Sequence, residues 1–191
     1  LVSRLFCFSC NALQPFPRET DLFEVLGFPI CFELKSAELE ERYEKLSLEL
    51  HPDFYDSAPE AEKLLSETAT AILNTAYKTL REPTLRADYL LHLLAEKQNL
   101  DERSLPDGFL AEMFFLQEAL DELLDSGNAV ELSAMHDNLQ NRKKDIEADY
   151  APLFKKHEDH PEDSGILQQL QTHLNAERYL RRLLERIPAS D

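Results

Sequence analysis

The sequence predicts an all-α protein, and three observations predict it. Leu, Glu, Ala and Lys dominate, and these are strong helix formers. Only 4 Gly occur in 191 residues and β-branched runs are few, which argues against a sheet. Apolar residues recur at the 3.6-residue helical period in one segment after another. With 43% hydrophobic residues the chain can bury a core, and wholesale disorder is excluded. A net charge of −17 repels phosphate backbones, so nucleic acid is a poor partner. No apolar run approaches the ~18 residues that span a bilayer, so no membrane partner is expected either. Three cysteines give no disulfide framework and point to a reducing compartment. The first residue is Leu rather than Met, so an incomplete N-terminus is expected.

Residues 1–18 read as a non-helical lead containing one C-x-x-C, Cys7 and Cys10. Three readings are open: two thiols in a flexible tail, half of a zinc site, or a redox pair. Structural zinc takes four ligands, and one C-x-x-C supplies two of them. Residues 21–28 form a short apolar turn closed by Gly27 and Pro29. Residues 36–50 form a helix with Ser36 as the N-cap and Leu39, Tyr43, Leu46 and Leu50 on one face. Pro52 stops it, because proline lacks the N–H and restricts the residue before it. Residues 59–81 resume the helical period, with Leu65, Thr68, Ile72, Ala76 and Leu80 as the expected stripe. Glu82-Pro83 ends that segment, and 84–94 restart the pattern.

The polar stretch around Pro106 and Gly108 is the best domain boundary. Beyond it lie three helical patterns, over 109–125, 129–156 and 165–187, with short connections that imply an antiparallel bundle. The expected organisation is therefore a lead at 1–18, a helical-hairpin domain at 19–95, a linker at 96–107 and a three-helix bundle at 108–188.

No phosphate-binding loop, dinucleotide fingerprint, G-x-S-x-G or H-E-x-x-H occurs, so the chain is not expected to be an enzyme. His157 and His160 are read as a solvated loop rather than a metal site. Two features remain. The first is His51-Pro52-Asp53 at the tip of the hairpin. A histidine there can merely answer the helix dipole, and an aspartate can merely solvate a turn. An exposed carboxylate on a rigid tip can also form a bidentate pair with an arginine of another protein, and the hairpin context favours that function. The second feature is residues 109–125. Phe109, Met113, Leu116, Leu120 and Leu124 share one stripe, while Leu110, Phe114, Glu118 and Glu122 fall well away from it at about 100° per residue. Leu110 and Phe114 either pack on a neighbouring element or form a partner face.

Two helices with His51-Pro52-Asp53 at the tip resemble the J-domain, a co-chaperone module that acts on DnaK-type ATPases. The resemblance sharpens along the chain. Asp21-Leu22-Phe23-Glu24-Val25-Leu26-Gly27-Phe28-Pro29, Leu50-His51-Pro52-Asp53-Phe54, Asn74-Thr75-Ala76-Tyr77-Lys78-Thr79-Leu80-Arg81 and Pro83-Thr84-Leu85-Arg86-Ala87-Asp88-Tyr89 are similar to the HscB family, J-type co-chaperones of iron–sulfur cluster assembly. Phe109-Leu110-Ala111-Glu112-Met113 and Arg178-Tyr179-Leu180 resemble its second domain. The likeness covers residues 20–187 in order. It implies a chaperone-docking set of His51, Pro52, Asp53, Arg42, Lys45, Lys78 and Arg81, meeting an HscA/DnaK-type ATPase. It implies a scaffold-binding set of Leu110, Ala111, Phe114, Glu118, Glu122 and Tyr179, meeting an IscU-type scaffold protein. It also implies no cofactor, beyond a zinc at Cys7 and Cys10 if a second cysteine pair precedes them, as in some members. A bacterial cytoplasm or a mitochondrial matrix fits.

The sequence departs from the family pattern at several places. Phe54 stands where members commonly have Lys, and Glu49 adds negative charge, so the basic docking surface is diluted. Ala111 and Phe115 replace larger or acidic residues, so a more apolar scaffold face is expected. Two rival functions are a J-domain adaptor for a different client and a helical binding module that stimulates no ATPase.

Overall fold

A computed structural model of the chain describes residues 6, 7, 9, 13–15, 20–95 and 98–188. Among them the regular elements are helical, apart from an isolated bridge between Phe6 and Leu13. The chain divides into two compact units, Leu1–Leu90 and Leu91–Asp191.

The first unit opens with a single turn, α1 (Leu22–Val25), which packs on α3 (Glu60–Arg81). Asp21 caps α1 by accepting from the Phe23 N–H at 3.0 Å. Tyr89 clamps the same corner. Its hydroxyl accepts from the Leu22 N–H at 3.0 Å and donates to Asp21 Oδ1 at 3.1 Å. Helix α2 (Ser36–Glu49) begins one residue earlier than a Ser36 cap requires: Lys35 is the N-cap and makes no side-chain cap bond. Leu39, Leu46 and Leu50 are buried as the spacing predicts.

The α3 stripe differs from the expected one. Ser66, Ala69, Leu73, Ala76 and Leu80 are buried, whereas Thr68 is exposed. The cause is polar. Ser66 Oγ donates to the Leu50 carbonyl at 2.8 Å, with Thr70 Oγ1 at 3.4 Å, so the small-residue face turns inward to close the end of α2. Helix α4 (Pro83–Leu94) follows after Glu82. Its buried Arg86 donates to the Leu80 carbonyl at 2.6 Å and lies 4.8 Å over the Phe32 ring.

The second unit is built on α5 (Phe109–Ser126), α6 (Ala129–Ala148), α7 (Tyr150–Asp159) and α8 (Ser164–Leu184). The long pattern over 129–156 is broken at Asp149, so the second rod of the bundle consists of α6 and α7. Pro152 explains the break: it has no N–H for the Ala148 carbonyl, and its ring crowds that oxygen. His157 is buried in the last turn of α7, not in a solvated loop, while His160 beyond it is exposed. Helix α8 is the centre of the unit, with α5, α6 and α7 packed on it. Phe109, Met113, Leu120, Leu139, Ala176 and Leu180 form a common core. Helix α5 ends at Gly127, whose φ of 64° lets its N–H return to the Leu123 carbonyl.

The second half of the expected linker is bonded to α8. Gln168 exchanges two hydrogen bonds with the Asp101 backbone, at 2.8 and 3.2 Å. Ser104 Oγ meets Thr172 Oγ1 at 2.7 Å. Asn175 donates to the carbonyls of Glu102 and Ser104 at 3.0 and 2.8 Å. Residues 168, 172 and 175 share one helical face, which converts a polar segment into part of the folded unit.

Candidate functional site

The first candidate surface is the tip between α2 and α3. Leu50, the last residue of the α2 end, is fully buried and its carbonyl is held from α3 as described. The chain then turns outward. Residues Pro52–Tyr55 form a 3-10 turn with proline at its start, where a missing N–H costs nothing. The His51 ring caps this turn, with Nδ1 3.3 Å from the Asp53 N–H and 3.4 Å from the Asp53 carboxylate. Asp53 itself projects into solvent with 81% of its side chain exposed. Phe54 is 74% exposed and meets the His51 ring edge-on at 6.5 Å. Tyr55 ties the turn back by donating to the Glu49 carbonyl at 3.4 Å. The carboxylate is thus offered on a braced support, with its own oxygens open to an incoming guanidinium.

The four basic residues of the expected docking set do not join His51 and Asp53 in one patch. Arg42 is turned inward. It donates to the Leu26 and Gly27 carbonyls, pairs with Glu38, and stacks 4.0 Å over the Phe28 ring. These bonds tie α2 to the turn after α1. Lys45 is exposed on α2, six residues before His51, or about 9 Å along the helix at ~1.5 Å per residue. Lys78 and Arg81 are exposed near the far end of α3, beside Tyr77, which stacks on Tyr43 at 3.9 Å and donates to Glu40. That hydrogen bond to a carboxylate pushes the Tyr77 pKa up. The cations are therefore strung along the hairpin and interleaved with acids.

The second candidate surface is a groove of about 490 Å³ between α5 and α8. Leu110 and Phe114 form its α5 wall and are 58% and 59% exposed. Tyr179 lines it from α8, braced edge-on by Phe109 with ring centroids 6.1 Å apart. Met113 and Leu183, both buried, lie beneath. The structure thus brings Leu110, Phe114 and Tyr179 together. Ala111, Glu118 and Glu122 are exposed on α5 but do not line the groove. Phe115, 67% exposed and edge-on to Phe114, extends the apolar surface. Arg142 of α6 pairs with Glu112 and holds that carboxyl below the usual range, which keeps α5 registered beside α6.

Gln117, Arg182 and Arg186 also line the groove and were not expected. The signal was available for the arginines, since 179, 182 and 186 follow helical spacing, but basic residues near a helix end read as dipole partners.

For the cysteines, Cys7 Sγ lies 3.2 Å from Ser9 Oγ, and Cys10 is outside the described residues. Among the described residues no cluster of three or more His, Cys, Asp or Glu fits a metal ion. Cys7 and Cys10 together supply two of the four ligands that a structural zinc takes. No helix among them is long and apolar enough to cross a membrane.

Comparison with known proteins agrees with this two-part layout. Residues 21–89 match the DnaJ domain and residues 105–187 match the HSCB C-terminal oligomerisation domain. The chain is 29% identical over 186 residues to the iron–sulfur cluster co-chaperone protein HscB of Homo sapiens, covering 97% of this chain and 77% of that one. It is 31% identical over 129 residues to a co-chaperone protein HscB homolog of Aromatoleum aromaticum, covering 67% and 73%. The crystal structure of human co-chaperone protein HscB superposes with a TM-score of 0.79 at 26% identity, covering 98% of this chain and 90% of that one. A J-domain with His51 and Asp53 exposed at its tip, followed by a matching C-terminal helical domain, places this chain in the HscB family of iron–sulfur cluster co-chaperones.

Proposed function

We propose that the chain delivers an IscU-type iron–sulfur scaffold to an HscA/DnaK-type chaperone and stimulates the chaperone's ATPase. The observation that carries this reading is the separation of two exposed surfaces, one on each unit: a carboxylate on a braced tip, and an apolar groove on the bundle. The groove captures the scaffold. The Asp53 carboxylate pairs with a chaperone arginine, and ATP hydrolysis then closes the chaperone on its cargo. The chain hydrolyses nothing itself.

Asp53→Asn tests this division. The side chain is open to solvent, so the fold and scaffold binding are expected to be unchanged. Loss of one charge-assisted bidentate pair, about 1.5–3 kcal/mol, raises the concentration needed for half-maximal ATPase stimulation about 10- to 150-fold. Equal loss of both activities, or of neither, refutes the division of labour.

The exposed Phe54 and the dispersed cations favour one alternative, a helical binding module that only binds a partner and stimulates no ATPase. Steady-state ATP turnover of the chaperone with and without the wild-type chain separates the two.

A further inference from the structure

Two guanidinium groups line the groove between α5 and α8, and they are in different electrostatic states. Arg186 pairs with Asp121 of α5. Arg182 meets no carboxylate among the described residues; its partner is the face of Tyr179, 6.0 Å from guanidinium to ring centroid. The adjacent Arg181 faces away into an acidic surrounding, 3.7 Å from Glu177 and 3.9 Å from Glu185. In a chain with 37 acidic and 20 basic side chains, a guanidinium beside an apolar wall with no carboxylate paired to it among the described residues is able to take one from a partner.

We infer that Arg182 is the anion anchor of this groove and selects a scaffold segment that carries an Asp or Glu carboxylate next to the apolar side chain seated between Phe114 and Leu183. The inference rests on the scaffold-binding reading of the groove and adds the chemistry that reading lacks. Arg182 is exposed, with Tyr179 at the outer edge of cation–π range. A guanidinium is more weakly hydrated than an ammonium, and its planar fork matches a carboxylate. A docked segment covers it. A segment without a carboxylate leaves a covered charge unpaired and is rejected, so the same residue attracts the right ligand and excludes the wrong one. The apolar wall supplies area and Arg182 supplies choice.

The test titrates the full chain with the resident scaffold protein at about 50 and 300 mM NaCl, where the screening length differs roughly twofold. Arg182→Gln is expected to bind about tenfold more weakly at low salt, the size of one modest charged hydrogen bond. Arg182→Glu is expected to bind more weakly still, and the gap from wild type narrows at high salt. Taking the ratio to wild type at each salt cancels the long-range repulsion of this acidic chain. Phe114→Ala, run alongside, is expected to lose affinity equally at both salts. If both Arg182 variants bind as wild type while Phe114→Ala does not, the anchor is wrong and the groove reading stands. If Phe114→Ala also binds as wild type, the groove reading itself fails. If the Arg182 variants change only the self-association of this chain in sedimentation, the groove's occupant is a second copy, and the inference is overturned.

Discussion

Helix α5 carries two apolar faces, one buried and one exposed, and one pair of substitutions separates their expected roles. Leu120 is fully buried among Met113, Leu139 and Leu180, whereas Phe114 is 59% exposed in the groove wall. The exposed part of a phenylalanine of ~200 Å² at that fraction is roughly 120 Å², equivalent to about 3 kcal/mol at ~25 cal/mol per Å². Fully covered by a scaffold, that area is worth about 100-fold in affinity, and half covered about tenfold. Phe114→Ala is therefore expected to weaken scaffold binding by a factor of about 10 to 100 while leaving the unfolding free energy within about 0.5 kcal/mol of wild type. Leu120→Ala is expected to do the reverse, costing about 2–5 kcal/mol of folding stability through a lost contact and a cavity. Scaffold binding at a temperature where that variant remains folded should be close to normal. Isothermal titration and urea denaturation measure the two quantities on the same samples. The reasoning is refuted if Phe114→Ala binds the scaffold as tightly as wild type, or if it loses stability on the scale of Leu120→Ala.

Two further outcomes follow from individual side chains. Arg42→Ala removes the bonds to the Leu26 and Gly27 carbonyls and the stacking on Phe28, so it should destabilise the first unit by about 2 kcal/mol. Half-maximal ATPase stimulation should stay near wild type well below the melting temperature; loss of docking with unchanged stability would show Arg42 to be a contact residue instead. Glu177 gives a pH dependence. It is 0% exposed, neither carboxylate oxygen has a hydrogen bond, and Lys143 and Arg181 stand 3.8 and 3.7 Å away. Burial pushes its pKa up, and the nearby cations offset only part of that, with Glu147 adding to the rise. Between the ordinary glutamate value and the raised one, the folded chain binds more protons than the unfolded chain, so this group's contribution to stability falls as pH rises through that window. Relative to wild type, Glu177→Gln should thus gain stability progressively from about pH 4.5 upward in urea titrations; a pH-independent difference would show that Glu177 titrates alike in both states.

Periodicity and punctuation are local properties, and by themselves they determine much of this protein. The helical class, the stop at Pro52, the exposed position of Asp53 and the two faces of α5 follow from 3.6-residue spacing and from proline's missing N–H. The same spacing puts Tyr179 well away from the face shared by Ile166, Leu170, Leu174, Leu180 and Leu184 on α8. Pro152 was equally legible as the cause of the break between α6 and α7, but a strong apolar stripe running across it masked the signal.

Only the tertiary structure decided the rest, because each case depends on a group distant along the chain. Ser66 is buried rather than its neighbour Thr68 because the Leu50 carbonyl, sixteen residues earlier, needs a donor. Arg42 is bound inward because two carbonyls and the Phe28 ring converge on it, so a residue that reads as an exposed cation becomes a brace. Residues 101–104 are held by side chains of α8 that lie 67 to 73 positions away. Arg182 and Arg186 are four residues apart and line the same groove, yet Asp121 pairs with Arg186 and leaves Arg182 to Tyr179. Helical spacing fixes the direction in which a side chain leaves its own helix; the charge and shape of what it meets belong to the packing of helices against one another.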